Sequence, residues 1–309
     1  MEKCSKCRAP AVTYIKYNGM HLCKKHFEQY FEARVKRAIR QQGKLPNQGV
    51  VAVALSGGVD SLVTLKMLAK LIEKRPNVEL HAISVDEGIK AYRNLTLKTA
   101  SEYCNEWNVP WHLLSFKKEI GYTLDKISKI RNGYNECTYC GVFRRWLINR
   151  KAKELGASRL ATGHQLDDNA QTILMNWITA DVERLARLGP HSEVQPGLIP
   201  RMMPLRLVPK AEVMLYASLN YIKIHPKNCP YSIRAFRKNF KNVLEFLESK
   251  KPGISYSLVK SYDSIKDILL QKYSSEKLNS CSECGEPTSQ DTCKACKLLE
   301  KLKKEGSNQ

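Results

Sequence analysis

Long apolar runs are missing from this 309-residue chain, and acidic residues are scarce beside basic ones. No apolar stretch precedes a small-residue cleavage site near the start, and none approaches the ~18 residues that a membrane span needs. The sequence therefore predicts a soluble, cytoplasmic protein with no membrane partner. Thirty Asp and Glu stand against 51 Lys and Arg, a net charge of +21. That excess attracts polyanions, nucleic acid first among them. Hydrophobic residues still make up 43% of the chain, which excludes wholesale disorder and permits one sizeable α/β core with small satellites. No long internal repeat is visible.

Strand and helix patterns alternate through the middle of the chain. The short Val-rich run at 50–55 predicts a buried strand. Helices are predicted at 61–73, 92–107, 143–155 and 168–178, with strands at 79–85, 111–115 and 159–162. Such alternation predicts a doubly wound parallel sheet, with ligands outside the carboxyl ends of its strands. A helix at 28–42 precedes this region. The Pro-rich stretch 181–209 predicts a long irregular loop, and helices follow at 210–219 and 233–248. Three units result: a Cys/His module at 1–30, a central domain at 31–250, and a C-terminal helical segment with a second Cys module at 251–309.

Between the first central strand and its helix stands Ala54-Leu55-Ser56-Gly57-Gly58-Val59-Asp60-Ser61. Glycines there let backbone N–H groups turn inward, and the helix start adds positive potential, so the turn favours phosphate. Ser56 and Ser61 supply hydroxyls, and Asp60 can orient Mg2+ or the loop itself. No Lys follows the second Gly, which excludes a Walker A loop. The segment resembles the PP-loop of ATP-pyrophosphatases, which adenylate a carbonyl oxygen. That resemblance implies that Ala54, Ser56, Gly57, Gly58, Asp60 and Ser61 contact ATP, with Ile83 beside the adenine. Thr162-Gly163-His164-Gln165-Leu166-Asp167-Asp168 is similar to a second PP-loop segment. There Gly163 permits close backbone approach, and Asp168 holds Mg2+ or positions the target base. The plainer reading makes Asp167 or Asp168 a helix N-cap.

Eleven cysteines in a reducing compartment point to metal ligation or catalysis before disulfides. Cys4, Cys7, Cys23 and His26 form two knuckles of the kind that hold a structural Zn2+, with His21 as an alternative donor. Cys281, Cys284, Cys293 and Cys296 form a second such set. Metal compensates for a module too small to bury a core. A third group, Cys137, Cys140 and the distant Cys229, offers three thiolates and no obvious fourth. That pattern leaves a metal with an open position, while a zinc reading recruits His225 and a redox reading uses the CxxC pair alone. Cys104 matches nothing and reads as a small buried hydrophobe.

PP-loop, Cys137-Thr-Tyr-Cys140-Gly141, Cys229-Pro230-Tyr231 and two terminal modules together resemble the TtcA/TtuA group of tRNA thiolases, the 2-thiouridine synthetases in particular. The resemblance spans nearly the whole chain. It implies a [4Fe-4S] cluster on Cys137, Cys140 and Cys229, with Gly141 and Arg144 near ATP. Arg does not release its proton, so electrostatic stabilisation suits Arg144 better than acid catalysis. The implied reaction adenylates a uridine C2 oxygen and replaces it with sulfur, drawn from free sulfide or from a ubiquitin-like thiocarboxylated carrier. Iron-bound hydrosulfide and cysteine persulfide both remain open as the nucleophile. A homodimer is implied as well. For the tRNA partner, Arg144, Arg145, Arg150, Lys151 and Lys153 flank the CxxC segment, and Arg234, Arg237, Lys238 and Lys241 follow the distal Cys. Rival readings are a PP-loop cytidine thiolase and a non-catalytic zinc-ribbon RNA-binding protein.

Overall fold

The computed structural model describes residues 2–130, 134–190, 194–225, 229–234, 236–273 and 278–306. In chain order the elements are β1 (Thr13–Ile15), β2 (Met20–Leu22), α1 (Lys24–Gln41), β3 (Gly49–Ala54), α2 (Val59–Ile72), β4 (Val78–Asp86), α3 (Arg93–Glu106) and β5 (Trp111–Ser115). Then come α4 (Phe116–Ile120), α5 (Leu124–Ile127), α6 (Glu136–Glu154), β6 (Ala157–Ala161), α7 (Leu166–Ile178), α8 (Val182–Ala186), β7 (Arg201–Met202) and α9 (Lys210–Leu219). A 3-10 turn at Pro230–Arg234 leads to α10 (Arg237–Lys250), α11 (Ile254–Tyr273), β8 (Asn279–Ser280), β9 (Pro287–Thr288) and α12 (Lys294–Gly306).

Five parallel strands in the order β5-β4-β3-β6-β7 form the central sheet. The chain moves outward from β3 to β5, then returns past β3 to build β6 and β7. The strand order thus reverses between β3 and β6, the position where such sheets open a crevice. Successive side chains of a strand alternate faces, and β3 shows it. Val51 and Val53 pack on the α2 and α9 side, whereas Ala52 packs on the α6 side with Ile83, Leu160 and Ala152.

Three expectations change on this fold. The stretch 181–209 carries α8 and β7, because Pro200 and Pro204 bracket a two-residue edge strand, where a missing N–H is tolerated. The helix expected from residue 143 starts at Glu136, so Cys137 and Cys140 lie on its first turn. Asn135 caps that turn by accepting from Thr138 N at 2.9 Å. Third, α1 begins at Lys24 and runs through residue 30, and its Phe27, Phe31 and Val35 enter the main core. Phe31 stacks on Tyr216 of α9 with centroids 4.2 Å apart. Arg34, one turn on, pairs with Glu212 at 3.3 Å and also reaches Tyr17, Tyr30 and Tyr256. The N-terminal module, α1, α9 and α11 therefore meet at one guanidinium.

At the other end, α12 packs on α6. Leu298 and Leu302 share a core with Tyr139, Phe143 and Leu147, while Glu286 pairs with Lys153 at 2.9 Å and accepts from Asn149 at 2.8 Å. The C-terminal module thus braces the helix that carries the CxxC pair. Leu302 is fully buried there, so Leu302→Ala should cost about 2–5 kcal/mol. Urea denaturation should show that loss, and limited proteolysis should cut the C-terminal module first.

Candidate functional site

A cleft of about 290 Å³ opens at the carboxyl ends of the central strands, at the strand-order reversal. Ala54, Ser56, Asp60, Ser61, Ile83, Arg144 and Gly163 all line it, joined by Arg93, Arg145, His164 and Arg201.

The loop after β3 is shaped by its own groups. Gly57 adopts φ +77°, and a Cβ there would drive into the Thr96 carbonyl, so residue 57 must lack a side chain. Ser61 Oγ donates to Gly58 O at 2.8 Å, lies 3.0 Å from Ser56 Oγ, and accepts from Ser56 N at 3.2 Å. Gly58 is the N-cap of α2, with no side chain capping the helix's first N–H groups, so that positive end faces the cleft.

Gly163 sits against this loop, and a Cβ on it would lie 2.9 Å from Asp60 C and Ser61 N. The close approach expected of Gly163 is therefore to the start of α2. Neither Asp167 nor Asp168 caps α7. Gln165 does, accepting from the N–H groups of both. Asp167 Oδ2 instead accepts from Lys210 N at 2.8 Å, while Lys210 Nζ lies 2.7 Å from each oxygen of Asp60. Burial raises the Asp60 carboxyl and Lys210 opposes that rise. Asp168 opens into an adjoining hollow that it shares with Asp60 and Lys210.

Cations dominate the far wall. Arg93 is buried, donates to Val85 O at 2.9 Å and lies 2.6 Å from Glu87 Oε2. Glu87 also pairs with Arg144 at 3.5 Å. Arg144 lies between the cleft and the thiols: the charges of Cys140 and Glu87 raise its guanidinium against a burial that lowers it. Burial pushes Cys140 up to about 11, with Arg144 opposing, and burial followed by the charge of Cys229 raises Cys137. Cys229 bears on both residues, so the three thiols, far apart in sequence, share one neighbourhood. Cys137 Sγ also lies 3.8 Å from Tyr231 O. His225 is held elsewhere, its Nε2 2.6 Å from Thr99 Oγ1 on α3.

Thiol spacing separates this trio from the terminal modules. Cys4, Cys7, Cys23 and His26 bring their ligand atoms within 4.8 Å of one another, as do Cys281, Cys284, Cys293 and Cys296. In those sets Cys7–Cys23 and Cys284–Cys293 are both 3.7 Å apart, and Cys23 Sγ lies 3.4 Å from His26 Nδ1. A tetrahedral ion with Zn–S bonds near 2.3 Å needs edges of about 3.8 Å, so both quartets fit zinc. Burial acts against ionisation of Cys4 and Cys281, yet backbone N–H groups draw each thiol down to about 6. His21 instead stacks on Tyr14. Among the described residues, Cys137, Cys140 and Cys229 do not close to 4.8 Å.

Several residues meet other partners than the sequence suggested. Arg150, Lys151 and Lys153 pair with Glu119, Glu154 and Glu286. Arg237 donates to Gln171 and to Asp168 O, tying α10 to α7. The side chain of Arg234 and the whole of Asn228 lie outside the described residues. Cys104 is 1% exposed, and burial pushes its thiol up to about 12. Sequence reasoning missed Arg93 and Arg201, which line the cleft, and Lys210 and Glu87, which pair with residues that do. His164 stood inside a quoted motif and could have been found there.

Comparison with known proteins places this geometry. A PP-loop domain family matches residues 27–240, and the N-terminal LIM domain of 2-thiouridine synthetase TtuA matches residues 3–28. A probable sulfurtransferase of Methanocaldococcus jannaschii is 40% identical over 96% of this chain and 87% of its own length. The tRNA 2-thiolation protein NcsA of Haloferax volcanii is 36% identical over 97% of this chain and 99% of its own. Among solved structures, the U34-tRNA thiolase NcsA from Methanococcus maripaludis, determined with its [4Fe-4S] cluster, superposes with a TM-score of 0.84. It is 33% identical and covers 98% of this chain and 96% of that one. The chain belongs to the TtuA/NcsA family of PP-loop tRNA-thiolating sulfurtransferases.

Proposed function

We propose that this protein is an ATP-dependent tRNA-uridine 2-sulfurtransferase, in which Cys137, Cys140 and Cys229 hold a [4Fe-4S] cluster. One observation carries the reading. A single helix, α6, presents Cys137 and Cys140 to the third thiol and, one turn later, Arg144 to the nucleotide cleft. The names of the relatives support it, since they include tRNA 2-thiolation and a [4Fe-4S] cluster.

ATP binds with its phosphates on the loop Ser56–Ser61, where backbone N–H groups and the start of α2 attract negative charge. Ile83 and Ala54 flank the base. The uridine C2 oxygen attacks the α-phosphorus, a P–O bond breaks, and pyrophosphate departs with Mg2+ held near Asp60 and Asp168. Arg144 stabilises charge on the transferring phosphate without giving up its proton. Sulfide then adds at C2 and AMP leaves with the former C2 oxygen, so no net oxidant or reductant is needed. A cluster held by the thiolates of Cys137, Cys140 and Cys229 would supply a place to hold the incoming sulfur aligned and shielded from water. The two quartets hold zinc as structural ions, and the homodimer and the sulfur-carrier protein are parts of the same proposal.

Two outcomes test the reading. Cys229→Ala should abolish thiolation while ATP binding stays intact, because Cys229 is absent from the nucleotide cleft lining. Nucleoside mass spectrometry after anaerobic reaction with tRNA, Mg-ATP and sulfide should show a loss of roughly 100-fold or more. Full activity in Cys229→Ala would remove the cluster from the mechanism.

Lys210→Met tests the carboxylate. Burial already raises the folded Asp60 carboxyl, and Lys210 is the largest influence acting the other way. Removing Lys210 should raise the carboxyl further. Mg2+ needs the ionised form, so Mg-ATP affinity in the variant should fail at higher pH as solutions are acidified. Titration calorimetry should show the acid limb displaced to higher pH. Superimposable limbs would contradict the assignment of Asp60.

A further inference from the structure

Two arginines in the cleft have no role in the chemistry above. Arg145 stands on α6 beside Arg144, and Arg201 stands on β7, opposite Leu160 of β6. Both line the nucleotide cleft. Arg201 acts on Arg145 by its charge, and among the described residues neither has a carboxylate partner within ion-pair distance. Burial lowers both guanidiniums, and mutual repulsion adds to the effect on Arg145. Arg144 differs, since Glu87 balances it. Two like charges in a partly enclosed cleft focus a positive potential that only an anion relieves.

The ATP phosphates are poorly placed to be that anion. Their loop closes the end of β3, whereas Arg201 lies two strands away, about 10 Å across the sheet. The apolar lining at Ile83 and Val85 lies on the opposite side of β3 from β7. His164 sits at the β6–β7 end, where burial lowers its imidazole and Arg201 is among the charges acting on it. Its neutral ring can donate a hydrogen bond without adding charge.

We infer that Arg145 and Arg201 form a second anion subsite of the cleft, distinct from the ATP-phosphate loop, which grips a backbone phosphodiester of the RNA next to the target nucleotide. The inference rests on the proposed tRNA reaction and adds a positioning role to it. An RNA backbone phosphate held at the β6–β7 end would place a neighbouring base toward the β3 loop, between the nucleotide and Arg144. Two guanidiniums suit that task, because their planar donors match phosphate oxygens.

Arg145→Gln and Arg201→Gln test it separately, with fluorescence anisotropy of a labelled unmodified tRNA transcript and calorimetry of Mg-ATP on the same preparations. Each variant should weaken tRNA binding by ~10-fold and reduce the salt dependence by about one phosphate. Mg-ATP affinity should stay within about two-fold, which also reports correct folding. Weakened Mg-ATP binding with unchanged tRNA binding would assign the arginines to ATP and overturn the inference, and so would unchanged binding of both ligands. Failure of the wild type to bind or thiolate the transcript would instead defeat the proposed function. Because the residues lie on a helix and an edge strand, misfolding of one variant leaves the other to decide.

Discussion

The close contact between the loop after β6 and the first turn of α2 is the constraint on which the site depends. These segments are about a hundred residues apart, and they meet because residue 163 has no Cβ to hold them apart. Lys210 then fastens the contact from a third direction, through its side chain to Asp60 and its backbone to Asp167. The cleft is thus closed by packing and ion pairing among three separate crossings. A nucleotide entering it meets donors already arranged, so little ordering cost falls on binding.

The second organising element is α6. Its N-terminal end offers two thiols one turn apart, and the turn after Cys140 offers adjacent arginines with different partners. Arg144 is drawn to Glu87 and the thiols, whereas Arg145 faces the like charge of Arg201. Such a helix must not move. Its buried face packs against the C-terminal module through Phe143 and Leu147, and Glu286 anchors Asn149 and Lys153. The cysteine quartet in that module can hold an ion that fixes a small unit with little core of its own, and that unit packs on α6.

Much of this was legible in the sequence where chemistry is local. Ser56 to Ser61, the Cys quartets and the parallel sheet follow from spacing and periodicity, and Gly163 was marked as a point of close approach. What such patterns could not give was the partner of that approach, which is backbone of α2. The start of α6 was read seven residues late because Cys137, Cys140 and Gly141 resemble a metal knuckle more than a helix. Asn135 and tertiary packing decide otherwise. Gln165 caps in place of the two aspartates because α7 starts at Leu166, which leaves Asp167 and Asp168 inside its first turn. Lys210, Glu87 and Arg201 carry no motif, and only the folded chain brings Arg201 into the cleft and sets Lys210 and Glu87 against Asp60 and Arg144.

The central claim is that three thiolates beside the nucleotide hold an iron–sulfur cluster. Iron and acid-labile sulfide analysis of anaerobically purified protein, with electron paramagnetic resonance, tests it most directly. The account predicts a brown protein with about four irons per chain and, after reduction with dithionite, a cluster signal that changes when sulfide is added. Colourless protein that carries zinc alone, in all three cysteine groups, would contradict it.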